Sequence, residues 1–281
     1  MFYQNEPYFT GDKIKILKPK FKEFNQDNAQ FFLTAMEKSF SSFSWGSSSF
    51  SVKIIENQTL EIPLKDGKPD FEFMESFIAS LEAGQIQKLD SYLSIAGLDT
   101  HKLSLEEQNV LDDFTNGKID WGEFNLKELF GNATRGKRLK SADRIEGSLP
   151  FVTAGEAEEG VSAFIGNSVG IFSSNTTTID MFGSAKYRNY KYGGDDHVAV
   201  VHTEELPKHA AIFVTSAIHK SSYTGKFDYG RNFYAKDADD LNILLPQKDN
   251  KPNYSFMAIL LSAIHKLVIK DVVEYVEQKA Q

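Results

Sequence analysis

The sequence predicts an α+β chain built from two related α/β modules, each followed by a long helix. Three observations predict it. An internal repeat comes first: "MFYQNEPYFTGDKIKIL" opens the chain, and "MFGSAKYRNYKYGGDDHVAVV" begins at Met181. Tyr3, Asn5, Tyr8, Gly11 and Asp12 answer Tyr187, Asn189, Tyr192, Gly194 and Asp195. The second is its continuation, "FFLTAMEKSF" matching "IFVTSAIHKSS" and "LEIPLKDGKPDFEFM" matching "LNILLPQKDNKPNYSFM". The third observation is a stripe of apolar residues at helical spacing after each copy.

The elements follow in order. Residues 1–70 form a partial first module. "GDKIKIL" alternates as a strand, "FFLTAMEKS" is an apolar helix, and an aromatic-Ser-Gly loop leads to Phe50. "LEIPL" is a short strand, and Lys-Asp-Gly before Pro69 marks a turn into the next helix. Residues 71–120 are a helical spacer, running from Phe71 through Phe77, Leu81 and Leu89 to Tyr92, with Gly84 as a weak point. Ser104 with Glu107 makes a capping box for a shorter helix that stops at Asn116-Gly117. Residues 99–128 hold eight acids against three lysines, as a linker or docking segment would. Residues 121–248 read as a complete module of short strands ("LPFVTA", "VSAFI", "VGIF", "TTTIDMFG", "HVAVV"), a helix ("LPKHAAIFVTSAIHK") and a closing strand ("LNILL"). Residues 249–281 form a C-terminal spacer helix. Its seam, Leu260, Leu261, Ile264, Leu267, Val268 and Tyr275, is edged by Lys266, Lys270, Glu274 and Glu277 and is suited to packing on the first spacer helix or on a partner.

Bulk properties narrow the function. The 281 residues suffice for one to two domains with a sizeable core. The absence of cysteine excludes disulfides and thiolate metal sites. No apolar run reaches the roughly 18 residues of a membrane span, and the first residues lack signal-peptide order, so a cytoplasmic protein with no membrane partner is expected. A net charge of −8 argues weakly against nucleic acid, but the charge is unevenly placed.

An enzyme is not visible. There is no phosphate-cradling G-x-x-x-x-G-K-[ST], no dinucleotide loop, no nucleophile elbow and no i, i+4 histidine pair among the six histidines. Asp195 and Asp196 suggest an acidic pair for metal-assisted chemistry, yet the other copy has only Asp12, which favours a turn role. No Asn-Pro-Pro-Tyr or Asp-Pro-Pro-Tyr loop of a base methyltransferase occurs. The expectation is a chain with no catalytic residues, no metal and no cofactor.

Basic residues interleaved with amides and aromatics are present instead, and are expected in loops. "TRGKRLKSADR" carries Arg135, Lys137, Arg138, Lys140 and Arg144. "AKYRNYKY" carries Lys186, Tyr187, Arg188 and Asn189, and "TGKFDYGRNFYAK" carries Tyr229, Arg231 and Asn232. Each patch alone is compatible with a solvated face. Three in one module point towards DNA: lysines for phosphates, and Arg188, Asn189, Arg231 and Asn232 for base edges.

At these residues the sequence resembles a known family. "LFGNATRGKRLKSADRIEGSLPFVTAGEAEEGVSAFIGN", "TIDMFGSAKYRNYKYGGDDHVAVV", "KFDYGRNFYAKDADDLNILLP" and "SAIHKLVIKDVV" look like a target recognition domain and its trailing helix. Such domains belong to DNA specificity (S) subunits of Type I and BcgI-like restriction–modification systems. The resemblance covers residues 121–281, and 1–98 as the latter part of a first such domain. It implies target recognition domains whose helices pack as an antiparallel coiled coil. Each domain would read half of a split double-stranded DNA site. Partners would be a methyltransferase (M) subunit carrying S-adenosylmethionine and a restriction (R) subunit or fused nuclease, with self-association as a further expectation. The chain starts at the point matching Met181, so Met1 is expected to be an internal start, a frameshifted or rearranged frame, or a trimmed boundary. A rival expectation is a truncated interaction protein that docks on the methyltransferase without productive DNA reading.

Overall fold

The computed structural model describes residues 1–44 and 51–279; the part of the aromatic-Ser-Gly loop from Trp45 to Phe50 lies outside the described residues. The chain divides into two compact units, one comprising residues 1–99 and 271–281, the other residues 100–270.

In the first unit, residues 1–25 form turns and irregular backbone, so the strand expected over Gly11–Leu17 does not form. Helix α1 (Gln26–Ser39) starts where the Asn25 side chain accepts from the Asp27 and Asn28 amides, and Asn28 returns the bond. A short α2 (Val52–Ile55) follows, then strands β1 (Leu64–Lys65) and β2 (Lys68–Pro69). Asp66 and Gly67 both have positive φ, as the tight turn of a two-residue hairpin requires. Helix α3 (Phe71–Ala96) is capped by Asp70, whose carboxylate accepts from the Phe73 amide at 3.0 Å, and ends at Gly97 in left-handed backbone. It runs unbroken through Gly84. The rings of Phe21, Phe24, Phe32 and Phe71 meet at 5.4–6.4 Å between centroids and, with Ala29 and Met74, build the core between α1 and α3.

The second unit begins with α4 (Leu105–Thr115), whose capping box at Ser104 and Glu107 and stop at Asn116 and Gly117 follow the sequence. Next come β3 (Trp121–Asn125), α5 (Leu126–Phe130), β4 (Thr134–Arg135), β5 (Glu146–Val152), β6 (Val161–Ile165), β7 (Ile171–Phe172), β8 (Thr176–Asp180), β9 (Ala185–Arg188), β10 (Tyr192–Gly194) and β11 (Val198–Val201). Helices α6 (Lys208–Ser222) and α7 (Ala235–Asp239), strands β12 (Asn242–Lys248) and β13 (Lys251–Pro252), and helix α8 (Tyr254–Lys279) complete the chain. Three sheets result, in orders β6-β5-β10-β7, β4-β11-β8-β9 and β13-β12-β3. The β8–β11 layer is apolar on both faces. Ile179, Ala199 and Val201 pack with Val214 and Ile218 of α6, while Val198 and Val200 pack with Val152 and Tyr192.

The repeat is visible in atomic detail. The β12–β13 hairpin turns at Asp249 and Asn250, both at positive φ, as β1–β2 turns at Asp66 and Gly67. Asn253 caps α8 through the Phe256 amide at 3.1 Å, and its own amide bonds to Pro246, as Asp70 does to Pro63. Met74 and Met257, one turn into each helix, are both fully buried.

Candidate nucleic-acid interface

The basic loop after β4 is anchored by backbone. Arg135 pairs with Ala199 of β11, and Gly136 lies so close to Gly194 that a Cβ would overlap its carbonyl. The Leu139 amide donates to Asp195 Oδ1 at 3.3 Å. Arg144 lies over the Phe151 ring at 5.1 Å and donates to Ser162 Oγ and the Leu139 carbonyl. These ties leave Arg135, Lys137, Arg138 and Lys140 exposed, with no ion pair among the described residues. Four unneutralised cations on a fixed loop suit a run of phosphates.

The second patch is not a loop. Residues 185–188 are β9, antiparallel to β8, and the period of two sends Lys186 and Arg188 to one face. Arg188 is 1% exposed. Its Nε donates to Thr178 Oγ1 at 2.9 Å, Nη1 to the Tyr190 hydroxyl at 3.0 Å and Nη2 to the Glu159 carbonyl at 2.8 Å. The expectation that Arg188 contacts a base edge is therefore corrected, because its guanidinium is enclosed and already hydrogen-bonded. Lys186 is paired with Glu156 at 3.1 Å and bonded to Ser184 at 2.9 Å. The Ser184 hydroxyl, against the opposing effect of burial and with help from Lys186, holds the Glu156 carboxyl below its usual range. Tyr187 is half-buried and donates to Asn175 Oδ1 at 2.9 Å, while Asn189 is exposed at the turn into β10.

In the third patch Tyr229 is 86% exposed and meets Phe182 edge-on. Arg231 lies over Phe227 and is joined to Asp237 at 2.6 Å. The Asp237 hydrogen bond and charge raise the Arg231 pKa further, and Asp228 shapes the turn by accepting from the Gly230 and Arg231 amides. Asn232 is half-buried and donates to the Tyr234 hydroxyl at 3.4 Å. Tyr229 is thus the free side chain of this patch, and Arg231 must exchange a carboxylate to reach DNA.

Asp195, Asp196 and His197 bring ligand-type atoms within 4.8 Å of one another, a grouping that the sequence reading missed for His197. Asp195 serves the turn: its amide donates to Val152 and its carboxylate accepts from Leu139, while burial raises its pKa. Sequence reasoning also missed Gly136 and the second role of Glu107. Besides capping α4, Glu107 accepts from Ser262 at 2.7 Å and Lys266 at 2.8 Å, fastening α4 to α8. Burial opposes the charge on Glu107, but Lys266, the Ser104 amide and Ser262 together hold its pKa at about 2.

The seam of α8 divides. Leu260 is buried, Leu261 and Ile264 are half-buried, and Leu267, Val268 and Tyr275 are exposed. The inward stripe of the second unit is Met257, Leu260 and Ala263; in the first unit it is Val273 and Val276. There Tyr275 and Lys279 line an apolar groove of about 530 Å³ with Ile78, Leu81, Ile86 and Leu89 of α3.

Comparison with known proteins bears on what this arrangement serves. Residues 1–91 match the family model described as the Type I restriction modification DNA specificity domain. Over 277 residues the chain is 26% identical to the Type II restriction enzyme specificity subunit S.BcgI of Heyndrickxia coagulans, covering 95% of this chain and 75% of that one. In sequence the chain is thus similar to a restriction–modification specificity subunit along most of its length. In fold it is similar to the Type I restriction–modification S subunit from M. genitalium, with TM-score 0.50 and 14% identity over 92% of this chain and 69% of that one. The family model falls on the module read as partial and on α3, while the longer alignment extends the likeness across the second module. Among the described residues, no helix is long and apolar enough to cross a membrane.

Proposed function

We propose that this relative of specificity subunits supplies DNA sequence recognition to a restriction–modification complex. The observation that carries the reading is the alignment with a specificity subunit across 95% of the chain. The anchored loop bearing four unpaired cations supports it independently. In this reading Arg135, Lys137, Arg138 and Lys140 hold phosphates, Asn189 and Tyr229 reach into the groove, and Arg231 and Asn232 act once Arg231 leaves Asp237. The chain performs no catalysis of its own. Methylation belongs to an M subunit that binds S-adenosylmethionine, and cleavage to an R subunit or fused nuclease, all in the cytoplasm. The exposed α8 residues Leu267, Val268 and Tyr275 are free to pack on such a partner or on a second copy.

The test is duplex binding by the purified chain across a salt series. Lys137→Ala and Lys140→Ala should each weaken binding to every sequence and reduce the salt slope by about one unit. Methylation or cleavage by the partner-free chain, or no duplex binding at low salt, would contradict the proposal.

A further inference from the structure

The loop from Gly136 to Ile145 joins β4 of one sheet to β5 of another. It contains no strand and only a short 3-10 turn at Ser141–Asp143, so its shape depends on groups outside it. Gly136 and Leu139 are half-buried, while Arg135, Lys137, Arg138 and Lys140 around them are exposed. The two inward positions carry the ties. Gly136 rests on Gly194, and Leu139 is held through both of its backbone groups. Its amide donates to Asp195 Oδ1 at 3.3 Å, and its carbonyl accepts from Arg144 Nη2 at 3.4 Å. Asn167, between β6 and β7, fixes the exit of the loop. Its Oδ1 accepts from the Ile145 amide at 2.8 Å, and its Nδ2 donates to the Asp143 carbonyl at 3.0 Å.

Arg144 differs from the other cations of this segment in what it faces. Its guanidinium lies 5.1 Å from the ring centroid of Phe151, a fully buried residue of β5, and Nη1 donates to Ser162 Oγ of β6 at 3.1 Å. Its Nε is enclosed and has no acceptor among the described residues, an unsatisfied donor that costs stability rather than adding to it. The group is therefore turned to the protein, and what it grips in the loop is the Leu139 carbonyl. A loop that becomes ordered on binding loses conformational entropy at that step, whereas a loop held beforehand does not. The number of phosphates neutralised is the same in both cases, and that number sets the release of counterions. Holding the loop thus changes affinity and leaves the salt slope alone.

We propose that Arg144 is a positioning residue for the phosphate-holding loop and not itself a phosphate contact. With Asn167 it pre-forms the loop, so that Arg135, Lys137, Arg138 and Lys140 meet the DNA backbone already in place. This rests on the DNA-recognition function proposed above. Arg144 acts through the Leu139 carbonyl, with Phe151 and Ser162 as its seat, and Asn167 acts through Asp143 and Ile145.

The experiment measures duplex binding by the full-length chain and its variants across a salt series, with hydrogen exchange in the absence of DNA. Arg144→Ala and Asn167→Ala should each weaken binding about tenfold while keeping the parent's salt slope. Lys137→Ala should instead lose about one unit of slope. Without DNA, the amides of residues 139–145 should exchange faster in the Arg144 and Asn167 variants, and those of 198–201 should exchange as in the parent. Arg144→Lys keeps the charge but not the two-nitrogen grip, so it should bind as weakly as Arg144→Ala. Asn167→Ala removes no charge and carries the same expectations should Arg144→Ala fail to fold. Full rescue by Arg144→Lys, or a slope about one unit lower in Arg144→Ala, would make Arg144 a phosphate contact and overturn the proposal. Parent-level binding in both alanine variants overturns it as well and leaves the proposed function standing. A parent chain that binds no duplex at low salt overturns the proposed function and this inference together.

Discussion

The same sequence pattern has two fates in this molecule. Tyr8, Ile14, Ile16 and Leu17 lie in irregular backbone and are 47–60% exposed, and Phe9 is fully exposed. The counterparts of Tyr8, Ile16 and Leu17, namely Tyr192, Ala199 and Val200, lie in strands and are buried. The hairpin, cap and helix that follow are alike in both places, down to the Pro63 and Pro246 carbonyls accepting from the capping residue. The difference teaches what each kind of element needs. A two-residue turn, a cap and a helix satisfy their backbone locally, so the pattern suffices. A strand satisfies its backbone only through neighbours. β11 has β8 on one side and β4 on the other, and β10 has β5 and β7. Among the described residues, none of residues 1–25 has such a neighbour.

The comparison can be sharpened by paired substitutions. The largest effects are expected at Met74 and Met257, which hold matching, fully buried places. Met74→Ala and Met257→Ala should each cost about 2–5 kcal/mol. Hydrogen exchange should show the loss in residues 26–96 for the first and in 200–270 for the second. If only one unit responds to its own substitution, the two helix starts are not equivalent.

A somewhat smaller contrast is expected between Val200→Ser and Leu17→Ser. The first places an unpaired hydroxyl between two apolar layers and should cost about 2–4 kcal/mol. The second changes an exposed side chain and should stay within about 0.5 kcal/mol. Denaturant melts of the two variants decide it, and equal losses would mean that the first module is packed after all.

Smaller again is the fastening of α4 to α8. Glu107 titrates near 2 when folded, against an ordinary 4.5, so its stabilisation is complete above about 4.5 and fades as pH falls towards 2. Lys266→Met should cost about 2 kcal/mol at neutral pH, because it leaves a buried carboxylate short of its cation. The gap between variant and parent should narrow on acidification through that window. A gap that is constant with pH would show that Lys266 contributes by packing alone.

The limits of the sequence reading follow the same division between local and distant. The Lys-Asp-Gly/Asn turns and the Ser104–Glu107 box were legible because the residues that define them are adjacent in the chain. The "GDKIKIL" alternation was misleading because period two states a preference, not the presence of a partner strand. Within the candidate interface, the loop 134–144 was legible as a cluster of charge. Arg188 was not, because nothing near it in sequence announces that Thr178 and the Glu159 carbonyl will enclose it. Its alternation with Lys186 was visible, but which face turned inward depended on β8. Gly136 was unreadable for a similar reason, since its close neighbour Gly194 is brought there by β4 pairing with β11.

In the proposed reading the second module carries the DNA-contacting surface, while residues 1–25 lie in irregular backbone. Hydrogen exchange on the full-length chain, with and without a duplex it selects, tests that claim directly. Without DNA, the amides of 177–180 and 198–201 should be strongly protected and those of residues 1–17 should exchange freely. With DNA, protection should rise in 135–140 and 189–191, and residues 1–17 should stay unprotected. Protection arising over residues 1–17 while the loop at 135–140 remains unchanged would contradict the account.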